Sequence, residues 1–129
     1  KARTVKEGHD ITIIAWGALV REVEKAMKLL PDVDAEIIDL RTIAPMDTKT
    51  IIESVKKTGR FLVVHEAYQS FGPGAELIST INEEAFLYLE APPTRLTGFD
   101  ITVPLPKGEH HFIITPERIA SEIRKVAKF

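Results

Sequence analysis

Residues 35–47, Ala-Glu-Ile-Ile-Asp-Leu-Arg-Thr-Ile-Ala-Pro-Met-Asp, decide the fold class of this chain. Ile37 and Ile38, set between Glu36 and Asp39, read as a short strand. Asp39, Arg41 and Thr42 lead into a polar loop that stops at Pro45. Asp47 follows as a helix N-cap, because its carboxylate can accept the free N–H groups of a first helical turn. A strand that delivers charged residues into the loop before a helix is how α/β domains build sites at the carboxyl end of a sheet.

The flanking sequence repeats the pattern. Ile11-Thr12-Ile13-Ile14-Ala15-Trp16, closed by Gly17, and Phe61-Leu62-Val63-Val64-His65 are nearly continuous apolar runs, suited to strands covered on both faces. Between them, Leu19, Val20, Val23, Ala26, Met27 and Leu30 recur at helical spacing, and Pro31 is expected to end that helix. Ile51, Ile52 and Val55 mark a second helix, with Gly59 free to take the left-handed position after it.

Residues 66–70 read as a loop. Pro73 opens a third helix with an inner face of Leu77, Ile78, Ile81 and Ala85, broken at Glu90-Ala91-Pro92-Pro93. Arg95 to Phe99 is a short strand, and residues 100–114 are rich in loop formers. Thr115-Pro116 caps a last helix with the stripe Ile119, Ile123 and Val126. Residues 2–6 are a marginal edge strand. Alternating strands and helices imply a mostly parallel sheet between two helical layers, a three-layer α/β/α domain.

At 129 residues the chain is one domain, able to bury roughly two thirds of its unfolded surface. A hydrophobic share of 44% with 28% charged residues places it among ordinary globular domains. A net charge of −2 without a basic run argues against a nucleic-acid partner. No apolar run approaches the length of a membrane span, and no leader segment is visible. The absence of cysteine rules out disulfides and thiolate metal sites and suits a cytoplasmic protein. The chain begins at Lys1 without Met, which is expected of a piece of something longer.

Four strand ends are expected to meet along one sheet edge: Trp16, then Asp39 to Thr42, then His65 with Glu66, then Asp100. One reading is a cleft in which His65 acts as acid or base beside Glu66. The favoured reading is a polar rim, structural or interdomain in role, with Asp39 and Arg41 in an ion-pair network. No nucleophile is supported, since Ser54 and Ser70 lack the glycines of a nucleophile elbow. Gly72-Pro73-Gly74 lacks the spacing of a dinucleotide fingerprint, and Pro73 removes a donor. Glu109-His110-His111 is a poor metal site, because adjacent side chains diverge.

Several stretches together resemble one family: residues 8–17, Ile38-Asp39-Leu40-Arg41-Thr42 with Pro45 and Asp47, and residues 54–67. Leu89-Glu90-Ala91-Pro92 leading to Arg95, Gly98 and Asp100 completes the set. The chain is similar to the C-terminal domain of the β subunit of the first, thiamine-dependent component of 2-oxo acid dehydrogenase complexes. That component decarboxylates pyruvate or branched-chain 2-oxo acids, with branched-chain favoured here. The match runs over almost the whole chain and departs after Asp100, at Ile101-Thr102-Val103-Pro104 and the His110-His111 loop.

The resemblance implies a transketolase C-terminal-like fold with a five-stranded mixed sheet, its first strand antiparallel. It implies a non-catalytic assembly and docking domain, in the cytoplasm or, in a eukaryote, the mitochondrial matrix. Thiamine diphosphate and magnesium belong to the intact enzyme, between the α subunit and an N-terminal β domain absent from this chain. The expected partners are the α subunit, a second β subunit and the peripheral subunit-binding domain of the core acyltransferase. Glu90 and the terminal carboxylate of Phe129 are expected to meet that last partner, with Pro92 and Pro93 holding Glu90 outside the helix. Two alternatives stand beside this reading. One is a free-standing small-molecule binding module of doubly wound type, the other the C-terminal domain of another transketolase-superfamily enzyme.

Overall fold

A computed structural model describes residues 2–40, 47–68, 73–98 and 114–129, with the side chains of 66–68, 73–74 and 97–98 left aside. In chain order the elements are β1 (Arg3–Lys6), β2 (Ile11–Ala15), α1 (Leu19–Met27), β3 (Ala35–Asp39), α2 (Thr48–Thr58) and β4 (Phe61–Tyr68). Then come α3 (Pro73–Ala85), a 3₁₀ turn (Phe86–Tyr88), β5 (Thr94–Gly98) and α4 (Pro116–Ala127). The five strands form one sheet in the order β1-β3-β2-β4-β5. Strands β2 to β5 are mutually parallel, and β1 lies antiparallel on β3. The edge position of β1 and its antiparallel sense agree with expectation.

Alternation along the strands sends side chains to two separate cores. Ile11, Ile13, Ala15, Ile37, Leu62 and Val64 pack with α1 and α4 on one face. Ile14, Ile38, Phe61 and Val63 pack with α2 and α3 on the other. All five positions of β2 are buried, as a central strand between two helical layers requires. The three-layer arrangement is thus built from the apolar runs themselves.

Two element boundaries differ from expectation by more than a residue. Helix α1 stops at Met27, well before Pro31, because Lys28, Leu29 and Leu30 donate to carbonyls three residues back and tighten the end of the helix. Leu30 is still buried, carried inward by that turn. Strand β4 continues to Tyr68, through residues 66–68 that read as loop. Val64 pairs with Leu96 and Tyr68 with Gly98, so β4 advances four residues while β5 advances two. Such an irregularity lets a strand run on without the two-residue periodicity that would have marked it.

The cap assignments agree with expectation. Asp47 accepts the Thr50 N–H at 3.3 Å and its hydroxyl at 2.9 Å, and the Thr115 hydroxyl accepts the Arg118 N–H. Gly59 has φ +75° and donates its N–H to the Val55 carbonyl, closing α2 in the left-handed conformation.

Candidate functional site

The parallel strands give the domain two chemically different ends. At the carboxyl end, Asp39 closes β3, and its carboxylate lies 3.9 Å from Arg3, on the strand paired antiparallel with it. His65 sits in β4, 1% exposed. Its ring stacks on Trp16 with centroids 5.2 Å apart and planes within 15°. Burial, and then the positive charge of Arg95, hold the imidazole below its usual range, so the ring is neutral near pH 7. Of the expected rim, the structure thus places Asp39 and His65 at one end of the sheet. Glu66 lies next in β4, with its side chain outside the described residues. Arg41 and Asp100 lie outside them altogether, as do Ser70, Gly72 and the Glu109-His110-His111 stretch weighed above.

Three features of this molecule were not singled out by sequence. The Trp16–His65 stack joins two strand ends that sequence separates by 49 positions. Arg95 supplies the cation beside the imidazole. The third is Glu36, which read as the polar flank of a strand but is 5% exposed. Burial pushes its carboxyl up, yet Lys57, Ser54 and the Gly8 N–H outweigh that and hold it below the usual carboxylate range. Its position among inward residues was the available signal, with Lys57 on the neighbouring helix as the partner.

At the opposite, amino end of the sheet lie the two residues expected to dock a partner. Glu90 sits ahead of β5, outside any helix, with 62% of its side chain exposed. The backbone of residue 59 helps to place it. The Glu90 N–H donates to the Gly59 carbonyl at 2.7 Å. A β-carbon on Gly59 would lie 2.4 Å from Glu90 Oε2, and the Arg60 guanidinium is 3.9 Å from the same oxygen.

Phe129, 71% exposed, follows α4 and joins Ala91, Pro92, Thr94 and Val126 around a hollow of about 190 Å³. The fold therefore brings the chain's last residue to the segment that carries Glu90. A second cleft, of about 380 Å³, is lined by Asp10, Asp32, Arg60, Arg124 and Lys128.

One exposed apolar feature stands apart from both ends. Phe86, Leu87 and Tyr88, in the turn after α3, are 64%, 92% and 52% exposed, with Lys56 Nζ 5.1 Å over the Tyr88 ring. Among the described residues no group of three or more carboxylates or imidazoles is placed to hold a metal ion. No helix of the described residues is long and apolar enough to cross a membrane.

This geometry has relatives. The chain is 61% identical to the pyruvate dehydrogenase E1 component subunit beta of Acholeplasma laidlawii, over 99% of this chain and 40% of that protein. It is 51% identical to the mitochondrial 2-oxoisovalerate dehydrogenase subunit beta of Dictyostelium discoideum, over 81% of this chain and 29% of that one. It thus spans about 40% or less of the length of these curated relatives. A solved structure described as a split gene transketolase, inactive beta4 tetramer, superposes with a TM-score of 0.81 at 21% identity, over 99% of this chain and 42% of that chain. That likeness shows a shared fold. The profile of the family described as transketolase, C-terminal domain, matches residues 1–119. By that match over most of its length, the chain belongs to the transketolase C-terminal domain family.

Proposed function

We propose that this chain is the C-terminal domain of the β subunit of a thiamine-dependent 2-oxo acid dehydrogenase, serving assembly and docking while chemistry proceeds elsewhere in the enzyme. The observation that carries the reading is the 61% identity to a pyruvate dehydrogenase β subunit across 99% of the chain. The 51% identity to a 2-oxoisovalerate enzyme over a shorter span ranks branched-chain acids second, which reverses the preference drawn from motifs alone.

The described residues do not fit thiamine diphosphate with magnesium. Among the described residues no group of three or more carboxylates or imidazoles converges to hold a metal, and Asp32, Glu36, Asp39 and Asp47 are engaged in ion pairs or a helix cap. The clefted cations share their walls with Asp10 and Asp32. No catalytic step is derived through the cofactor, which on this reading sits between the α subunit and an N-terminal β domain. His65 is read as structural: a neutral, stacked and 1%-exposed imidazole fixes two strand ends together. The rim of Asp39, Arg41, His65, Glu66 and Asp100 is read as structural or interdomain.

Docking is assigned to the amino end of the sheet. Glu90 presents a carboxylate there, and Phe129 lies against the neighbouring segment. A basic binding domain of the acyltransferase needs an anion to hold, and on this reading Glu90 supplies it beside Phe129. Losing one member of a desolvated charge pair costs about 2–5 kcal/mol, at least some thirtyfold in affinity. In a heterotetramer assembled from α and full-length β subunits, Glu90→Lys should weaken calorimetric binding of the acyltransferase's peripheral subunit-binding domain. A few residues appended after Phe129 should do the same. Decarboxylation should persist in both. Unchanged affinity in both variants would remove this site.

A further inference from the structure

We propose that Arg60 is a built-in competitor for Glu90, an internal cation that sets how tightly a basic partner can hold that carboxylate. The inference rests on the docking reading above and adds to it a residue that opposes docking. Arg60 Nη1 lies 3.9 Å from Glu90 Oε2. Only 21% of the Arg60 side chain is exposed, against 62% for Glu90, so the arginine belongs to the body of the domain and the glutamate to its surface.

Two backbone features keep the pair together. The Glu90 N–H is held by the Gly59 carbonyl at 2.7 Å. The carboxylate occupies the space a β-carbon on Gly59 would need, with Oε2 2.4 Å and Cγ 3.0 Å from that position. Glu90 is thus pressed onto the end of α2, and its neighbour in sequence after the cap is Arg60. The other acids near Arg60 are occupied: in the cleft it lines, Asp32 pairs with Arg124 at 2.5 Å, and Asp10 accepts the Asp34 N–H at 2.8 Å. Arg60 Nε is buried without an acceptor among the described residues, and among those residues Glu90 is the carboxylate that pairs with this guanidinium.

An incoming cation has two ways to reach Glu90. It shares the carboxylate with Arg60, and the two positive charges repel across it. Otherwise it displaces Arg60, and a half-buried cation is left without its anion. Both routes lower affinity. Because the Glu90 side of the pair is exposed, the effect has the size of a surface ion pair. The Arg60 backbone carbonyl, which accepts the Thr12 N–H at 2.8 Å and the Thr58 hydroxyl at 3.0 Å, is untouched by side-chain substitution.

The test is calorimetric binding of the isolated peripheral subunit-binding domain to the assembled heterotetramer. The variants are Arg60→Gln, Arg60→Lys, Glu90→Gln and the Arg60→Gln/Glu90→Gln pair. Arg60→Gln should tighten binding about three- to fivefold. Arg60→Lys should return to the starting affinity, and Arg60→Gln should change nothing once Glu90 is Gln. Where Gln impairs assembly, Arg60→Met, which keeps the aliphatic stem, gives the same comparison. If Glu90→Gln weakens binding while Arg60→Gln leaves it unchanged or weaker, the competitor role is overturned and docking at Glu90 stands. If Glu90→Gln has no effect, docking at this site fails and the competitor role fails with it.

Discussion

Gly59 and Glu90 are joined twice, through the backbone bond from the Glu90 N–H to the Gly59 carbonyl and through the carboxylate lying where a Gly59 side chain would start. The same glycine has φ +75°, the conformation that ends α2. One small residue therefore closes a helix and seats an acid 31 positions later.

Gly59→Ala should consequently do two kinds of damage. The left-handed backbone costs a β-carbon about 1–2 kcal/mol, and Glu90 must move aside. Thermal denaturation should show a lower melting temperature. Glu90→Ala in the same background should recover part of the loss by removing the clash. A double mutant no more stable than Gly59→Ala alone would mean that the carboxylate exerts no pressure there.

Lys57→Met should expose the dependence of the buried Glu36 on its partner. Removing one member of a buried ion pair costs about 3–5 kcal/mol, but Lys57 is 39% exposed, so about 1–3 kcal/mol is expected. The pH dependence has a definite sign. Because Glu36 is held below the usual carboxylate range, its stabilisation is present above the ordinary glutamate pKa and is lost as pH falls through the depressed folded value. Urea midpoints measured through the acid range should fall less steeply in Lys57→Met.

His65 carries a separate pH signature, nearer neutrality. Its folded pKa is lowered, so the unfolded chain takes up the proton first as pH falls. The domain should be fully stable above the ordinary imidazole range and lose stability below it, towards the folded value. His65→Phe, which keeps a stacking ring, should flatten that part of the stability–pH curve. An unchanged slope would remove His65 as its source.

The turn at Phe86–Tyr88 predicts association. Three consecutive large apolar side chains, at 64%, 92% and 52% exposure, form a surface that proteins tend to cover. The isolated chain should self-associate in sedimentation experiments at high concentration. Leu87→Glu should weaken that association without lowering the melting temperature, because Leu87 contributes little to the core. A wild-type chain that stays strictly monomeric at high concentration would count against it.

Much of this was legible in the sequence, for identifiable reasons. The apolar runs of β2 and β4 and the helical stripes of α2 and α4 follow periodicities that burial imposes, and Asp47, Gly59 and Thr115 mark helix ends by their own chemistry. The end of β4 was not legible, because a pairing irregularity frees residues 66–68 from strict alternation. Glu36 was misjudged as a flank because its burial depends on Lys57, Gly8 and Ser54, none of them its neighbours in sequence. At the amino end, Glu90 was singled out by motif, but its attachment to Gly59 and Arg60 was not legible. That attachment needs the register that lays the β5 entry beside the end of α2.

The hydroxyls beneath α2 carry one more consequence. Ser54 and Thr12 lie 2.7 Å apart, Thr12 and Thr58 2.8 Å apart, and Thr58 donates to the Arg60 carbonyl at 3.0 Å. Ser54 also helps hold the Glu36 carboxylate. A carbonyl and an ionised carboxylate only accept, so the outer hydroxyls spend their single protons outward. Three protons then serve four contacts. Thr12, in the middle, turns its own toward one neighbour or the other, and the interior of this face holds two interchangeable proton arrangements without moving a heavy atom.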